Sequence, residues 1–288
     1  MVGKFVDQKA QDRYFAKYDA ILRKWPVPSE ELDVPTRFGA TRVRRSGSAD
    51  GVPIMLLHGA MGTSLSWYPF VAALAEKHTV YAVDMIGEPG RSVQTRPFEN
   101  TEDEADWLAD VLAGLGHEKV HLVGISRGAY LALNLAVRRS DGITGVLAIE
   151  PGGFGIAMLK FVLWSIGELV RWMLPAPILR RISSGDPAVR HTLRPLLFGG
   201  LKYKVQLAPL REFTDDELRS IDVPAHFLLA ERNPVHDPKE LAARLESLVS
   251  RVRTEIVPGT THTLPLEELE LTTARIIAFA EEHAGLPD

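Results

Sequence analysis

The chain has 288 residues, of which 45% are hydrophobic and 24% are charged, a composition that can bury the core of one large α/β domain or two small ones. Its formal net charge of −4 offers no broad basic surface, so we expect no nucleic-acid partner. Cysteine is absent, which excludes disulfides, thiolate-bound metals and cysteine nucleophiles and favours a cytoplasmic location.

No stretch of the sequence predicts a segment that crosses a membrane. Residues 1–24 are charged throughout and lack the apolar core of a signal peptide. The most apolar window, residues 156–174, contains Lys160, Glu168 and Arg171, and a charge at the centre of a bilayer is costly. We therefore expect no membrane-spanning segment and no membrane partner, while the oligomeric state stays open.

An amphipathic pattern near the N-terminus predicts a first helix. Its apolar residues share one helical face, and two prolines follow them. The face comprises Tyr14, Tyr18, Ile21, Leu22 and Trp25. We interpret residues 1–35 as a helical appendage that packs on the main body of the protein.

Buried strands and amphipathic helices alternate along most of the remaining chain. We predict strands, most of them largely apolar, over residues 52–57, 78–83, 143–149, 225–230 and 252–257, and one more that ends at Gly124. Thr101 and Glu104 fit a capping box at the start of one helix, and Gly116 fits its end. This alternation is typical of βαβ units and a mostly parallel sheet, which we assign to residues 36–153 and 221–288. Ligands of such sheets bind beyond the carboxyl ends of the strands.

Residues 154–220 break this alternation. The segment has a helical pattern rich in aromatic residues, among them Phe161, Trp164 and Trp172, and several prolines interrupt it. It is either a surface excursion that packs on itself or a lid over a site. Its position directly after a sheet strand favours the lid, because lids exclude water and shape pockets. We therefore interpret residues 154–220 as a helical cap inserted into the core.

The most informative stretch is the pattern Gly-x-Ser-x-Gly over residues 124–128. An apolar run ends at this pattern, and an apolar helical segment begins directly after it. A serine on so sharp a turn between strand and helix has its hydroxyl exposed. A serine hydroxyl is a weak nucleophile and needs a neighbouring base. His262, in a glycine-containing loop after the last strand, is the best candidate, although a histidine in a loop can also be satisfied by solvent.

Four motifs stand in order along the chain, each after a predicted strand. They are His58-Gly59, the loop Asp84…Gly87…Gly90-Arg91-Ser92, Gly124-Ile125-Ser126-Arg127-Gly128 and Gly259-Thr260-Thr261-His262. Together they resemble the α/β-hydrolase family, from about Arg37 to the last helix. Among its branches the chain is most similar to bacterial cap-bearing esterase-type hydrolases.

This resemblance implies an α/β-hydrolase fold, with a mostly parallel central sheet flanked by helices and an inserted helical cap. It implies that Ser126 is the nucleophile and His262 its base. It also implies that the backbone N–H groups of Ala60 and Arg127 form an oxyanion hole. The sequence contains no dinucleotide-binding fingerprint, P-loop or metal-spaced cluster of His and acidic residues, so we expect no cofactor and no metal.

The acid of the expected triad is less obvious. The family usually places it shortly after the strand that follows the cap, where this sequence has the uncharged Asn233. Three carboxylates remain. Glu231 directly follows that strand, Asp237 fits a helix N-cap before a proline, and Glu150 ends the strand before the insertion. Some α/β-hydrolases, including a branch of the haloalkane dehalogenases, take their acid from the last of these positions. We favour Glu150 as the acid. The alternative is that a carboxylate at the end of a strand accepts hydrogen bonds from loop amides and has no catalytic role.

These expectations favour a serine hydrolase that cleaves an ester-like bond of a small, fairly apolar substrate through an acyl-enzyme. The same fold also hosts cofactor-free perhydrolases, lactonases and C–C hydrolases. The missing usual acid leaves another possibility open, a non-catalytic ligand-binding or sensor protein that keeps the fold without efficient turnover.

Overall fold

A computed structural model describes residues 1–47, 53–155, 158–182 and 185–283. The strands in chain order are β1 (Lys4–Phe5), β2 (Ser29–Thr36), β3 (Gly39–Ser46), β4 (Ile54–Leu57), β5 (Val80–Val83), β6 (Val93–Gln94), β7 (Val120–Ile125), β8 (Ile143–Ile149), β9 (Tyr203–Lys204), β10 (Ala225–Ala230) and β11 (Val252–Val257). The α-helices are α1 (Gln8–Leu22), α2 (Val71–Ala75), α3 (Thr101–Leu115), α4 (Arg127–Ala136), α5 (Met158–Met173), α6 (Ala176–Ile182), α7 (Pro187–Gly200), α8 (Asp215–Arg219), α9 (Pro238–Leu248), α10 (Leu264–Glu267) and α11 (Leu269–Glu282).

One large sheet organises the described residues. Its strand order is β11-β10-β8-β7-β4-β5-β3-β2, and β6 pairs with β3. The strands from β11 to β5 are all parallel, whereas β3 is antiparallel to β5, β2 and β6. β4 and β5 are buried along their whole length, as expected of parallel strands covered on both faces. The predicted, mostly parallel sheet is confirmed.

The N-terminal segment differs from the prediction. α1 is helical and buries Tyr14, Tyr18 and Ile21, but β2 joins the sheet as its antiparallel edge strand. The predicted appendage, residues 1–35, is therefore wrong over its last residues, which belong to the sheet. β2 escaped detection because it is polar and exposed, with only Val34 buried, so it lacks the alternating pattern of a half-buried strand.

The start of α3 also differs from the prediction. Asn100 is its N-cap, and the Asn100 side chain accepts a hydrogen bond from the backbone N–H of Asp103. Thr101 is already the first helical residue, so the predicted capping box of Thr101 and Glu104 is wrong. Gly116 ends the helix in the left-handed conformation (φ 72°), as predicted.

Helices cover both faces of the sheet and enclose two apolar cores. The larger core includes side chains of α3, α4 and α9, and the smaller one includes side chains of α2 and α11. A third cluster joins α1 to Leu65 and to Leu196 of α7. Among the helices that the structure describes, none is long and apolar enough to cross a bilayer.

Between β8 and β10 lie α5, α6, α7, β9 and α8, within the predicted cap of residues 154–220. We refer to α5, α6 and α7 as the insertion helices. β9 pairs with β1 in a separate two-stranded sheet. Residues 156–157 and 183–184 of the predicted cap, and 284–288 of the predicted core, lie outside the described residues.

A buried histidine in the central strand β7 makes the fold sensitive to acid. His121 is fully buried against Phe279, with the two ring centroids 5.5 Å apart, and neither ring nitrogen has a hydrogen-bond partner among the described residues. Burial, assisted by His283 and His78, lowers the pKa of His121 to about 4. The unfolded chain binds a proton at this histidine near pH 6.5, whereas the folded chain resists it until about pH 4. The uncharged His121 side chain therefore makes its full contribution to stability above about pH 6.5, and this contribution is lost as the pH falls to about 4.

We expect His121→Leu to remove this sensitivity. Between pH 7.5 and pH 4.5 the free energy of unfolding of the variant should fall by about 3 kcal/mol less than that of the native protein, since each pKa unit corresponds to about 1.4 kcal/mol. Urea unfolding at the two pH values measures the difference. His191→Leu, at a partly exposed position of α7, is the control. An unchanged pH dependence in His121→Leu would contradict the prediction.

Candidate active site

The Gly-x-Ser-x-Gly turn joins β7 to α4 and holds Ser126 in an unusual backbone conformation. Its φ of 51° and ψ of −107° are rare for a residue with a side chain. The flanking glycines allow the close contacts that force this turn. A Cβ on Gly124 would lie 2.4 Å from the backbone nitrogen of Ala129, and one on Gly128 would lie 2.2 Å from the carbonyl oxygen of Leu57. α4 therefore packs directly against β7 and β4, with Ser126 at its N-terminus.

Ser126, His262 and Glu150 form a continuous hydrogen-bonded chain. His262 Nε2 lies 3.0 Å from Ser126 Oγ, and His262 Nδ1 lies 3.0 Å from Glu150 Oε2. A carboxylate only accepts hydrogen bonds, so Nδ1–H donates to Glu150 and Nε2 is free to accept from the serine hydroxyl. Glu150 is fully buried, and its Oε1 accepts from the backbone N–H of Ala230 at 2.5 Å.

The other candidate acids lie elsewhere. Glu231 is exposed and accepts from the backbone N–H of Gly259 at 2.8 Å. Asp237 caps α9, as its sequence pattern predicted, and accepts from Lys239 and Glu240. The structure thus brings Glu150 to His262, and it brings neither Glu231 nor Asp237 there.

Asn233, at the position where the family usually has the acid, contacts the glutamate instead. Its side-chain Nδ2–H donates to Glu150 Oε2. Its Oδ1 accepts from the backbone N–H groups of Val235 and His236, at 2.5 and 3.1 Å. Asn233 therefore orients Glu150 and keeps a second negative charge away from it.

Ala60 lines the same cavity as Ser126, in a loop that two side chains hold in shape. The next residue, Met61, has a φ of 62°, and its backbone N–H donates to Glu88 Oε2 at 2.9 Å. Glu88 is buried, and burial raises its pKa to about 7 against the opposing effects of the Met61 N–H and of Arg127. His58 Nδ1–H donates to the carbonyl of Gly59 at 2.8 Å, and its Nε2 accepts from the backbone N–H of Met85 at 3.1 Å.

Arg127 is the first residue of α4, where a backbone N–H has no acceptor within the helix. Its side chain is buried and forms an ion pair with Glu104 of α3. Its Nη2 also donates to the carbonyl of Ala208 at 3.3 Å. The guanidinium thus ties α4 to α3 and to the segment before α8, and it does not contact Glu150.

A cavity of about 440 Å³ opens over Ser126 and His262. Core loops form one side, and α5 and α7 of the insertion form the other, with a mostly apolar lining. Trp164 of α5 packs edge-on to His262 with ring centroids 5.4 Å apart, and Phe161 does so at 6.2 Å. Glu168 also lines the cavity, but it forms ion pairs with Arg190 of α7 and with Arg171.

Sequence reasoning missed three residues that shape this site. Glu88 lies in the Asp84…Gly90 loop. Its position inside that motif was the only feature of the sequence that could have indicated a role at the site. Glu104 was misread as part of a capping box. Arg190 gave no signal, because its contacts with Glu168 and with Thr263 Oγ1 (3.4 Å) depend on how the insertion helices pack.

A family model described as "Alpha/beta hydrolase family" matches residues 54–275. The chain belongs to the α/β-hydrolase family. It is similar to two proteins of Bacillus subtilis strain 168. The carboxylesterase YbfK is 30% identical over 275 residues, covering 93% of this chain and 93% of that protein. The carboxylesterase nap, described as uncharacterized, is 30% identical over 295 residues, covering 95% of this chain and 94% of that protein.

Solved structures agree with this family assignment. The crystal structure of carboxylesterase CesB (YbfK) from Bacillus subtilis matches with a TM-score of 0.83 at 29% identity, over 96% of this α/β-hydrolase chain and 100% of that chain. Naproxen esterase (carboxylesterase NP) from the same organism matches with a TM-score of 0.82 at 28% identity, over 95% and 99% of the two chains. The α/β-hydrolase fold predicted from the sequence is therefore confirmed.

Proposed function

We propose that this protein is a carboxylesterase-type serine hydrolase that uses Ser126 as nucleophile, His262 as base and Glu150 as acid. The observation that carries the proposal is the continuous chain of hydrogen bonds from Ser126 through His262 to Glu150. It ends at an apolar cavity. The named carboxylesterase relatives, similar along nearly the whole chain, support an ester as the substrate.

In the first half of the reaction, Ser126 Oγ attacks the ester carbonyl carbon while His262 Nε2 accepts the hydroxyl proton. The Glu150 carboxylate stabilises the resulting imidazolium through Nδ1–H. The negative oxygen of the tetrahedral intermediate accepts hydrogen bonds from the backbone N–H groups of Ala60 and Arg127. His262 then gives its proton to the departing alcohol, which leaves Ser126 acylated.

In the second half, water replaces the alcohol. His262 Nε2 takes a proton from the water as its oxygen attacks the acyl carbon, and the same oxyanion hole stabilises the second intermediate. Its collapse returns the proton to Ser126 Oγ and releases the carboxylic acid. Trp164 and Phe161, packed against the His262 ring, exclude bulk water from this side of the histidine.

The cavity indicates the kind of ester. Its volume of about 440 Å³ suits a small molecule. The described lining contains no lysine or arginine, and Glu168 is occupied by its arginine partners. We infer that a neutral, largely apolar ester fits this cavity better than an anionic one. α5 and α7 of the insertion act as a cap that shapes the pocket.

A fluorophosphonate probe tests this function, because it reacts with a serine only when a neighbouring base activates the hydroxyl. We expect stoichiometric labelling of the native protein at Ser126, identified by peptide mass spectrometry, and strongly reduced labelling of His262→Ala. A folded native protein that is not labelled would contradict the proposal and would favour a ligand-binding protein on the same fold.

The loop that carries Ala60 provides a second test. Glu88→Ala removes the acceptor of the Met61 N–H, so the neighbouring Ala60 N–H loses its fixed position. We expect kcat to fall about tenfold or more with KM little changed, since loss of one oxyanion donor costs about a hundredfold or more. Glu88→Gln keeps an acceptor oxygen and should restore most of the rate. An equal loss of kcat in both variants, measured with a nitrophenyl ester, would contradict this positioning role.

A further inference from the structure

α5 has an apolar face that no other described element covers. Its exposed apolar side chains recur at intervals of three and four residues, so they share one side of the helix. They are Leu159, Val162, Leu163, Ile166, Val170 and Met173, each between 43% and 72% exposed. Single exposed apolar residues are common on protein surfaces, but a continuous patch of this kind marks an interaction site.

The opposite side of α5 is already occupied. Phe161, Trp164, Glu168 and Trp172 face the cavity over Ser126. α5 is therefore apolar on two sides, and only one side is explained by packing within the chain. An amphipathic surface helix normally turns polar residues to solvent, so the exposed face requires an occupant.

The charge of the segment that carries this face favours one kind of occupant. Residues 158–204 contain eight lysines and arginines but only two acidic residues, although the whole chain has a net charge of −4. Both acidic residues are engaged, because Glu168 pairs with Arg171 and Arg190 and Asp186 caps α7. The remaining cationic groups are therefore not balanced within the segment.

Three of these cations lie on α5 and α6 and point to solvent. Lys160, Arg180 and Arg181 are exposed, and none forms an ion pair with another described residue. Ile178 of α6, 45% exposed, adds an apolar side chain near the arginines in sequence. The insertion thus combines exposed apolar groups with free positive charge.

We propose that the exposed face of α5 binds an anionic lipid surface, with the helix lying in the plane of the interface. Apolar side chains enter the boundary of the acyl chains, while Lys160, Arg180 and Arg181 contact anionic headgroups. A second copy of this chain suits the face less well, because two such basic segments repel each other. The expectation of no membrane partner was based on the absence of a spanning segment, and binding at a surface needs none.

This placement brings the cavity close to the lipid. The same helix presents one side to the lipid and the other to the pocket, so about 10 Å, the diameter of a helix, separates them. Binding itself depends on the α5 surface and not on ester hydrolysis, so failure of the lipid proposal and failure of the proposed function are separate outcomes.

Co-sedimentation of the full chain with vesicles tests the proposal. We expect binding to vesicles of equimolar phosphatidylcholine and phosphatidylglycerol, and much weaker binding to vesicles of phosphatidylcholine alone. Leu163→Glu/Ile166→Glu should weaken binding to the mixed vesicles about tenfold or more, because two exposed side chains lose their apolar burial. Neither residue lines the cavity. Val93→Glu, at a 59% exposed position of β6, is the matched control and should bind normally.

Charge is tested separately. Arg180→Glu/Arg181→Glu should also reduce binding to mixed vesicles about tenfold or more, and added salt should weaken binding of the native protein. Circular dichroism and thermal unfolding establish that each variant is folded. Equal binding to both vesicle types, no binding to either, or no effect of the Leu163→Glu/Ile166→Glu change would overturn the proposal. A dimer in analytical ultracentrifugation that this change dissociates would assign the face to a second copy instead.

Discussion

Replacing Ser126 by alanine is expected to lower kcat by about a million-fold, the loss found when an activated serine nucleophile is removed. The variant keeps the cavity, the oxyanion donors and His262, but it cannot form an acyl-enzyme. Hydrolysis of a nitrophenyl ester, measured with a preparation free of contaminating esterase, checks the loss. A residual rate above about one part in a hundred would contradict the assigned nucleophile.

Ser126→Gly is a matched control for this experiment. It removes the same hydroxyl, but glycine accepts the φ of 51° without the strain that a Cβ causes. We expect both variants to be inactive and the glycine variant to be more stable than the alanine variant by about 1 kcal/mol, within the usual cost of a strained backbone conformation. Urea unfolding measures this difference and also establishes that loss of activity does not reflect loss of fold.

Glu150→Gln is expected to lower kcat by about ten-thousand-fold, similar to the effect of replacing a triad acid by its amide. Glutamine can turn an N–H towards His262 Nδ1, which favours the wrong tautomer, and it carries no charge to stabilise the imidazolium. The amide also suits the site poorly, because Ala230 and Asn233 both donate hydrogen bonds to the carboxylate.

Two further variants make this experiment specific. Glu231→Gln and Asp237→Asn should retain nearly full activity, since Glu231 binds Gly259 at the surface and asparagine can still cap α9. The three variants and the native protein are compared by kcat and kcat/KM under the same conditions. Comparable activity in all four proteins would reject Glu150 as the triad acid.

Much of the sheet could be predicted because most of its parallel strands are short and largely apolar, although β11 also contains Arg253 and Glu255. β11 coincides with the predicted strand over residues 252–257, and β10 with the one over residues 225–230. The carboxyl ends of these parallel strands lie along one edge of the sheet, so residues that follow different strands could be expected to meet. Ser126 after β7, Glu150 after β8 and His262 after β11 follow this rule.

What the sequence could not supply depends on contacts between distant positions. Glu104 follows Thr101 at the spacing of a capping box, yet it pairs with Arg127, because the packing of α3 against α4 buries both side chains. Glu88 binds the Met61 N–H across the loop that follows β4. The partners of these two glutamates cannot be inferred from the local sequence. The local pattern predicts the start of a helix or a loop, but it does not predict which distant residue packs against it.

The hydrogen bond between Asn233 and Glu150 has a consequence for how such a site can diverge. If residue 233 were an acid while Glu150 remained, two carboxylates would share one position, and one of them would have to take up a proton. The effect of a substitution at either residue therefore depends on the identity of the other, a case of epistasis within a single hydrogen bond. A lineage that moves its triad acid from the end of one strand to the end of the next must exchange both side chains. Either substitution alone is expected to impair the site, whereas the two substitutions together preserve a single triad acid.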